Sequence, residues 1–250
     1  MACSICNDRG IILEGDVAVQ CGCTKIRNLE RLFKESHLPR NLLSCTFENF
    51  DFKYYAKNSF DPVKGISYYD LAVLAYEAAR NFVKQFLSDP FTDGLLFTGQ
   101  VGSGKTYLAC CIANELIRKG QLLLFSVVPD LLDQIRATYD SWKNNEDVTE
   151  SEIVETARRV PLLILDDLGA HNYTEWTRNK IYSIINYRLN HRLPVIATTN
   201  ISLEDLEEYL GERTTSRIFE MCKPYRLLVE MDIRAVQRKE KDLKTRSSAI

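Results

Sequence analysis

The sequence predicts an α/β fold with a parallel sheet covered by helices on both faces. Three apolar runs carry that expectation, and each ends in residues suited to phosphate chemistry. Leu95-Leu96-Phe97-Thr98 leads into Gly99-Gln100-Val101-Gly102-Ser103-Gly104-Lys105-Thr106. Val160-Pro161-Leu162-Leu163-Ile164-Leu165 ends in Asp166-Asp167, and Leu193-Pro194-Val195-Ile196-Ala197-Thr198-Thr199 ends in Asn200. Helical patterns separate the runs, and strands alternating with helices make parallel sheets buried on both sides. Ligands in such sheets sit beyond the carboxyl ends of the strands, where all three polar clusters fall.

The bulk properties bound the reading. At 250 residues the chain has room for one ordinary domain and a small appendage. Its 45% apolar and 26% charged content is that of a water-soluble globular protein. No apolar run approaches the roughly 18 residues of a membrane span, and no basic-then-apolar leader opens the chain, so a cytoplasmic protein without a membrane partner is expected. A net charge of −2 gives no global electrostatic case for nucleic-acid binding, so any DNA contact must be local or shared among subunits. Eight cysteines without an export signal point to metal or core packing rather than disulfides.

The first module is expected over residues 1–44. Cys3-Ser4-Ile5-Cys6 precedes the runs Ile11-Ile12-Leu13 and Val17-Ala18-Val19, which read as a hairpin around Glu14-Gly15-Asp16 and lead into Cys21-Gly22-Cys23. Two cysteine pairs at the ends of a hairpin can converge on one tetrahedral Zn²⁺, and the metal would supply folding energy that so small a hairpin lacks. Cys3, Cys6, Cys21 and Cys23 are the expected ligands, although C-x-C is tighter than the usual C-x-x-C. The alternative is four reduced thiols. Residues 25–37 read as a helix with Leu29, Leu32 and Phe33 on one face and Arg27, Arg31 and Lys34 on another, ended by Pro39. That helix is either a solvated face or a docking element for a partner protein.

The core is expected over residues 45–235. Phe47, Phe50, Phe52, Tyr54 and Tyr55 form an aromatic segment, most simply core, with Phe47 or Phe50 available to pack on a nucleotide base. Asn58 to Gly65 reads as a loop. Leu71, Leu74, Ala75, Ala78, Phe82, Val83 and Phe86 keep the rhythm of a long amphipathic helix, ended by Asp89-Pro90. The octapeptide Gly99–Thr106 then matches the G-x-x-x-x-G-K-[ST] phosphate loop. Its glycines let backbone N–H groups cradle phosphates, Lys105 would reach the β- and γ-phosphates, and the Thr106 hydroxyl would ligate Mg²⁺. Gly99, Gln100, Val101, Gly102, Ser103, Gly104, Lys105, Thr106 and Tyr107 are the expected ATP/ADP-binding set. Leu108, Cys111, Ile112, Leu116 and Ile117 continue as a helix whose N-terminus faces the anion.

Leu122 to Phe125 reads as another buried strand. It is followed by a helix from Val128 to Trp142 with Leu131, Leu132, Ile135 and Tyr139 inward, a polar break at Asn144 to Asp147, and a charged helix near Ser151 to Arg158. Asp166 would hold Mg²⁺ and Asp167 would orient the attacking water. A helix near Glu175 to Leu189 precedes the strand that ends at Asn200, whose side chain would reach the γ-phosphate or the water. Cys45, Cys110, Cys111 and Cys222 read as core, and residues 236–250 as a charged tail.

The order of Gly99–Thr106, Asp166-Asp167, Asn200 and Gly211-Glu212-Arg213-Thr214-Thr215-Ser216-Arg217 resembles an AAA+ ATPase. More narrowly, Leu165-Asp166-Asp167-Leu168-Gly169 and Thr198-Thr199-Asn200 are similar to motifs of replicative helicase loaders of the DnaC/DnaI type, within the IstB-like superfamily. The resemblance spans about residues 45–235 and implies the sheet order 5-1-4-3-2. It implies Asn200 as the first sensor, Arg217 as an arginine finger acting on a neighbouring subunit with Arg213 able to share that role, and Arg234 as the second sensor. Asp167 stands where the family usually has glutamate, which implies a slow, partner-stimulated ATPase. A small or absent C-terminal lid is also implied.

The leading functional expectation is an ATP-controlled loader of a hexameric DnaB-type replicative helicase onto single-stranded DNA, self-associating through its arginine finger and gripping the helicase with the cysteine module. An IstB-like transposition helper ATPase, a small-molecule kinase on the same loop and a binding module that no longer hydrolyses ATP are the alternatives.

Overall fold

A computed structural model describes residues 6, 9–14, 17–21, 23–24, 31–32, 34–138, 149–170 and 173–247. The N-terminal hairpin is present. Strands β1 (Ile11–Glu14) and β2 (Val17–Gln20) pair antiparallel, with Ile12 opposite Val19. Cys3 and residues 25–30 of the expected helix lie outside the described residues. Leu32 is buried, and the chain turns at His37, whose φ is +56°.

Five strands make the main sheet: β3 (Gly94–Thr98), β4 (Leu123–Val127), β5 (Leu162–Asp166), β6 (Val195–Thr199) and β7 (Cys222–Arg226). All pairings are parallel, in the spatial order β4-β5-β6-β3-β7. Numbered within this sheet alone and read from the other edge, that order is 5-1-4-3-2. The central strands β3, β5 and β6 are buried throughout, as their unbroken apolar runs require.

Strand periodicity divides the core into two layers. Leu95, Phe97, Leu123, Phe125, Leu162, Ile164 and Ile196 face one side, where they meet α1 (Tyr68–Ser88), α2 (Lys105–Arg118) and the linker aromatics. Leu96, Leu124, Leu163, Leu165, Val195 and Ala197 face the other. That side carries α3 (Val128–Ala137), α4 (Glu150–Arg159), α5 (Glu175–Asn190), the short α6 (Leu206–Leu210) and α7 (Glu212–Met221). Tyr139 and the Asn144–Asp147 break lie outside the described residues.

Local signals set the helix starts. Ser67 accepts the Asp70 N–H at the head of α1, and Thr149 with Glu152 forms a capping box on α4. Ahead of α1, residues 40–54 run as three short 3-10 turns, Arg40–Leu42, Phe47–Asn49 and Phe52–Tyr54; α2 holds the carbonyls of Leu42, Cys45 and Thr46 through Asn114 and Tyr107, and Phe52 packs on Tyr69 and Tyr76 of α1. Two features depart from the expectation. The fifth strand that the implied order requires, β7, was not located in the residue pattern, and the charged tail is the body of a helix, α8 (Ile233–Ser247), so a boundary at residue 236 cuts through a continuous element.

Candidate nucleotide site and cysteine cluster

The carboxyl ends of β3, β5 and β6 open on a cavity of about 570 Å³. Its floor is Val101 to Tyr107, its far side Asp166, Asp167 and Asn200. One wall is the linker, with Leu42, Phe50, Tyr54 and Tyr55, and the opposite wall is α8, with Ile233, Arg234 and Gln237. Of the two aromatics open to a base-packing role, Phe50 lines this space. Phe47 packs edge-on against Tyr76 instead.

The loop geometry depends on glycine. Gly102 and Gly104 have φ of 73° and 95°, in the left-handed region. A Cβ on Gly102 would lie 2.1 Å from the Asp232 carboxyl carbon, and one on Gly104 would lie 2.6 Å from the Tyr55 hydroxyl oxygen. The surrounding chain grips the loop through its carbonyls. The Tyr55 hydroxyl donates to the Ser103 carbonyl at 2.9 Å, and the Ile233 N–H donates to the Gly102 carbonyl at 3.1 Å. The amino end of α2 then sets a favourable potential for an anion over the loop.

Lys105 is buried, and its ammonium donates to the Gly99 carbonyl at 2.8 Å, the Gln100 carbonyl at 2.7 Å and Asn200 Oδ1 at 2.6 Å. Burial pushes its pKa down to about 8, against the opposing pull of Asp167 and Asp166. Gly99 and Gln100 thus serve the site through their carbonyls and stand behind the cavity lining.

Asp166 is only 5% exposed. Its Oδ1 accepts from the Thr106 hydroxyl at 2.8 Å and from the Thr198 hydroxyl at 2.6 Å. Burial raises the Asp166 pKa, and those two hydrogen bonds oppose the shift. A hydroxyl beside a carboxylate is a hard-oxygen donor pair that fits Mg²⁺, and a cation there would hold Asp166 ionised.

Asp167 sits at φ +57° just past β5. Its N–H donates to Thr198 Oγ1 at 3.0 Å, and Asn200 Nδ2 donates to Asp167 Oδ1 at 3.3 Å. Asn200 therefore links Lys105 to Asp167, and Thr198 links Asp166 to Asp167. Thr198 was quoted within its motif without a role, and its position on β6, paired beside β5, is what gives it one.

The arginines divide. Arg234 lines the cavity from α8, its Nε 3.5 Å from Asp232. Arg217 and Arg213 lie on α7, outside the cavity lining. Arg217 Nε donates to Asn186 Oδ1 at 2.8 Å, its guanidinium carbon stands 4.9 Å from the Tyr182 ring centroid, and one nitrogen donates to the Arg213 carbonyl at 3.2 Å. Tyr107 borders the cavity and donates to the Thr46 carbonyl at 3.3 Å.

At the N-terminus, the hairpin brings Cys6, Cys21 and Cys23 together with their sulfurs all within 4.8 Å of one another. The Cys6 and Cys23 sulfurs are 3.3 Å apart, and the Gly10 N–H points at Cys6 Sγ at 3.4 Å. Three convergent sulfurs fit the soft-donor preference of Zn²⁺, and Cys3, the fourth expected ligand, lies outside the described residues. Cys45, Cys110, Cys111 and Cys222 are buried in the core.

This fold and site define a nucleotide-binding core of the AAA+ kind, with the phosphate-loop sequence, the paired acids and Asn200 at the ends of neighbouring strands. The chain belongs to the family of IstB-like ATP binding proteins, which it matches over residues 17–248. It is similar to the replicative helicase loader DnaI of Bacillus subtilis, 25% identical over 79% of this chain and 61% of the relative. It is also similar to the loader DnaC of Escherichia coli, 25% identical over 76% of this chain and 69% of the relative. The chain thus spans about three fifths of the DnaI length. A crystal structure of the DnaC helicase loader superposes with a TM-score of 0.58 at 28% identity, covering 77% of this chain and 100% of that one. AMPPCP-bound DnaA from Aquifex aeolicus shares the fold, with a TM-score of 0.55 at 23% identity. Among the described residues, no helix is long and apolar enough to cross a membrane.

Proposed function

We propose that this chain is a cytoplasmic ATPase that delivers a hexameric DnaB-type helicase onto single-stranded DNA, with ATP binding and hydrolysis switching assembly and release. The observation that carries the proposal is the continuous hydrogen-bonded set Lys105–Asn200–Asp167–Thr198–Asp166–Thr106, in a chain whose relatives include named helicase loaders. The presence of Lys105, Thr106, Asp166, Asp167 and Asn200 around one cavity supports the reading, since hydrolysis of a phosphoanhydride needs a cation, divalent-metal donors and a carboxylate to orient water.

In this mechanism Lys105 moves its ammonium from the loop carbonyls to the phosphate oxygens, and Arg234 meets them from the α8 wall. Thr106 and Asp166 hold Mg²⁺, which when bound spreads the phosphate charge. Asp167, held by Asn200 and by Thr198 through its own N–H, orients the water that attacks the γ-phosphorus. The shorter reach of aspartate, compared with glutamate, makes the reaction slow. Arg217, with Arg213 beside it, acts on nucleotide in a neighbouring protomer, so ATP is sensed only in an assembly. The cysteine module, holding Zn²⁺ through Cys3, Cys6, Cys21 and Cys23, grips the helicase.

A second reading, left open by the sequence resemblance, is a transposition helper ATPase in the same IstB-like family. One experiment separates the two. The full chain is mixed with the host's hexameric helicase, ATP and circular single-stranded DNA, and unwinding of an annealed strand is scored. ATP-dependent stimulation that Lys105→Ala abolishes supports the loader. No stimulation, together with retention of a transposase from host lysate, assigns the helper role instead.

A further inference from the structure

Two polar contacts tie the wall formed by α8 to the rest of the site, and Ile233 packs against the core beside the first of them. At its amino end the Ile233 N–H donates to the Gly102 carbonyl, and the Asp232 side chain closes over Gly102. About two helical turns later, a single carboxylate oxygen, Glu240 Oε2, accepts from the Lys53 ammonium at 3.2 Å and from the Tyr54 hydroxyl at 3.3 Å. Lys53 and Tyr54 belong to the opposite, linker wall, and Tyr54 lines the cavity. The helix covers little apolar surface: Ala235, Gln237, Arg238, Lys239, Asp242 and Leu243 are exposed, while Ile233 and Val236 are half-buried. A helix with so little apolar burial draws little stability from packing, so a polar bridge near its middle weighs heavily in where it lies.

We propose that Glu240 is a positioning residue that latches α8 to the linker across the cavity, and that the latch sets how fast nucleotide leaves. The Ile233–Gly102 bond is the hinge. With Glu240 bound to Lys53 and Tyr54, Arg234 and Gln237 stay over the phosphate loop and the base side of the cavity is narrowed. With the bridge broken, α8 swings about its first turn and the cavity opens toward solvent. Lys53 is kept oriented by a second carboxylate, Asp51, at 3.3 Å, and stands over the Tyr54 ring at 4.7 Å. The linker side of the latch is therefore fixed, and the helix is the part that moves. The inference rests on the cavity being the nucleotide site.

The test is the dissociation rate of a fluorescent ADP, N-methylanthraniloyl-ADP, chased with excess unlabelled ADP in stopped flow. Glu240→Gln, Lys53→Met and the double variant are compared with the unaltered chain. Both pairing groups are about half exposed, so release is expected to quicken about two- to fivefold in each single variant. The double variant should release no faster than either single one, because both break the same contact. Raising the salt concentration should quicken release more from the unaltered chain than from Glu240→Gln, which has already lost the bridge. Thermal midpoints should stay together, since the three side chains are at the surface. Unchanged release in Glu240→Gln, or effects that multiply in the double variant, overturns the latch while leaving the nucleotide site intact. Failure of the unaltered chain to bind the probe overturns both.

Discussion

Replacing Thr198 with valine tests the core of the site with little change of shape. The Thr198 hydroxyl donates to Asp166 and accepts the N–H of Asp167. It lies on a fully buried strand, so valine fills its space and removes both bonds. Loss of a hydrogen bond to a charged acceptor costs about 1.5–3 kcal/mol, and stranding a buried N–H costs about 1–3 kcal/mol. The two overlap because one hydroxyl serves both, so about 2–4 kcal/mol is the expected destabilisation, or roughly 4–16 °C in the melting midpoint of a chain this size.

The loss should also depend on pH, and its sign follows from Asp166. Burial already raises that carboxyl's pKa, and the Thr198 bond is one of the two hydrogen bonds that hold the rise back. A carboxyl with a raised folded pKa binds more protons folded than unfolded, so its contribution to stability is full in acid and is lost as pH rises through the folded value. Thr198→Val raises the pKa further. Its deficit should therefore be smallest in acid and grow toward neutral pH, and the acid limb of the ATPase profile should move to higher pH. A displaced Asp167 lowers turnover by up to about 100-fold. Thr198→Ser keeps the hydroxyl and should stay near the unaltered chain. Turnover at saturating ATP and calorimetry, each across pH, give the answer. A valine variant with unaltered turnover and an unmoved acid limb would refute the relay.

Three further outcomes are expected. Burial brings the Lys105 pKa down to about 8, so its charge is complete at neutral pH and is lost as pH rises through that value; ATP affinity by titration should fall above pH 8 in the unaltered chain and show no such step in Lys105→Met. Arg188 is fully buried and donates to the carbonyls of Ala157, Arg158, Val160, Pro161 and Pro194, joining the turns before β5 and β6, so Arg188→Met should lower stability in urea by about 3–5 kcal/mol. Zinc measured by emission spectroscopy should approach one per chain and fall to background in Cys6→Ser and Cys21→Ser, while their fluorescent-ADP binding is unchanged.

The sheet was legible where strands are buried on both faces, since β3, β5 and β6 are unbroken apolar runs and each ends at a polar cluster. Strand β7 was hidden because it is an edge. Its sequence, Cys222-Lys223-Pro224-Tyr225-Arg226, carries two cations and a proline, and an edge strand can hold a proline because one side of it needs no ladder bond. Polar contacts to its neighbours help hold it, with Cys222 donating to the Val195 carbonyl and Arg226 paired to the buried Asp61. The α8 helix was hidden for the opposite reason. Residues 233–247 are charged nearly all round, which reads as a solvated tail, and nothing in that pattern tells that the first turn docks on Gly102.

The site divides along the same line. Motif spacing picked out Lys105, Thr106, Asp166, Asp167 and Asn200, which the fold brings to one cavity, because phosphate chemistry calls for particular residue types at the ends of particular strands. It did not find the groups that aim them. A threonine on β6 can be core, cap or relay, and only its register against β5, with Leu165 opposite Ala197, puts the Thr198 hydroxyl between Asp166 and Asp167. Tyr55 likewise reads as one more aromatic until its hydroxyl is seen on the Ser103 carbonyl, over a glycine that leaves no room for a Cβ. Both cases follow one rule. A residue that contacts substrate is constrained by chemistry, which leaves a signature along the chain, whereas a residue that positions it is constrained by distance between segments far apart in sequence. The Glu240 latch belongs to the second kind, since either of its partners could be replaced by another polar pair spanning the same gap.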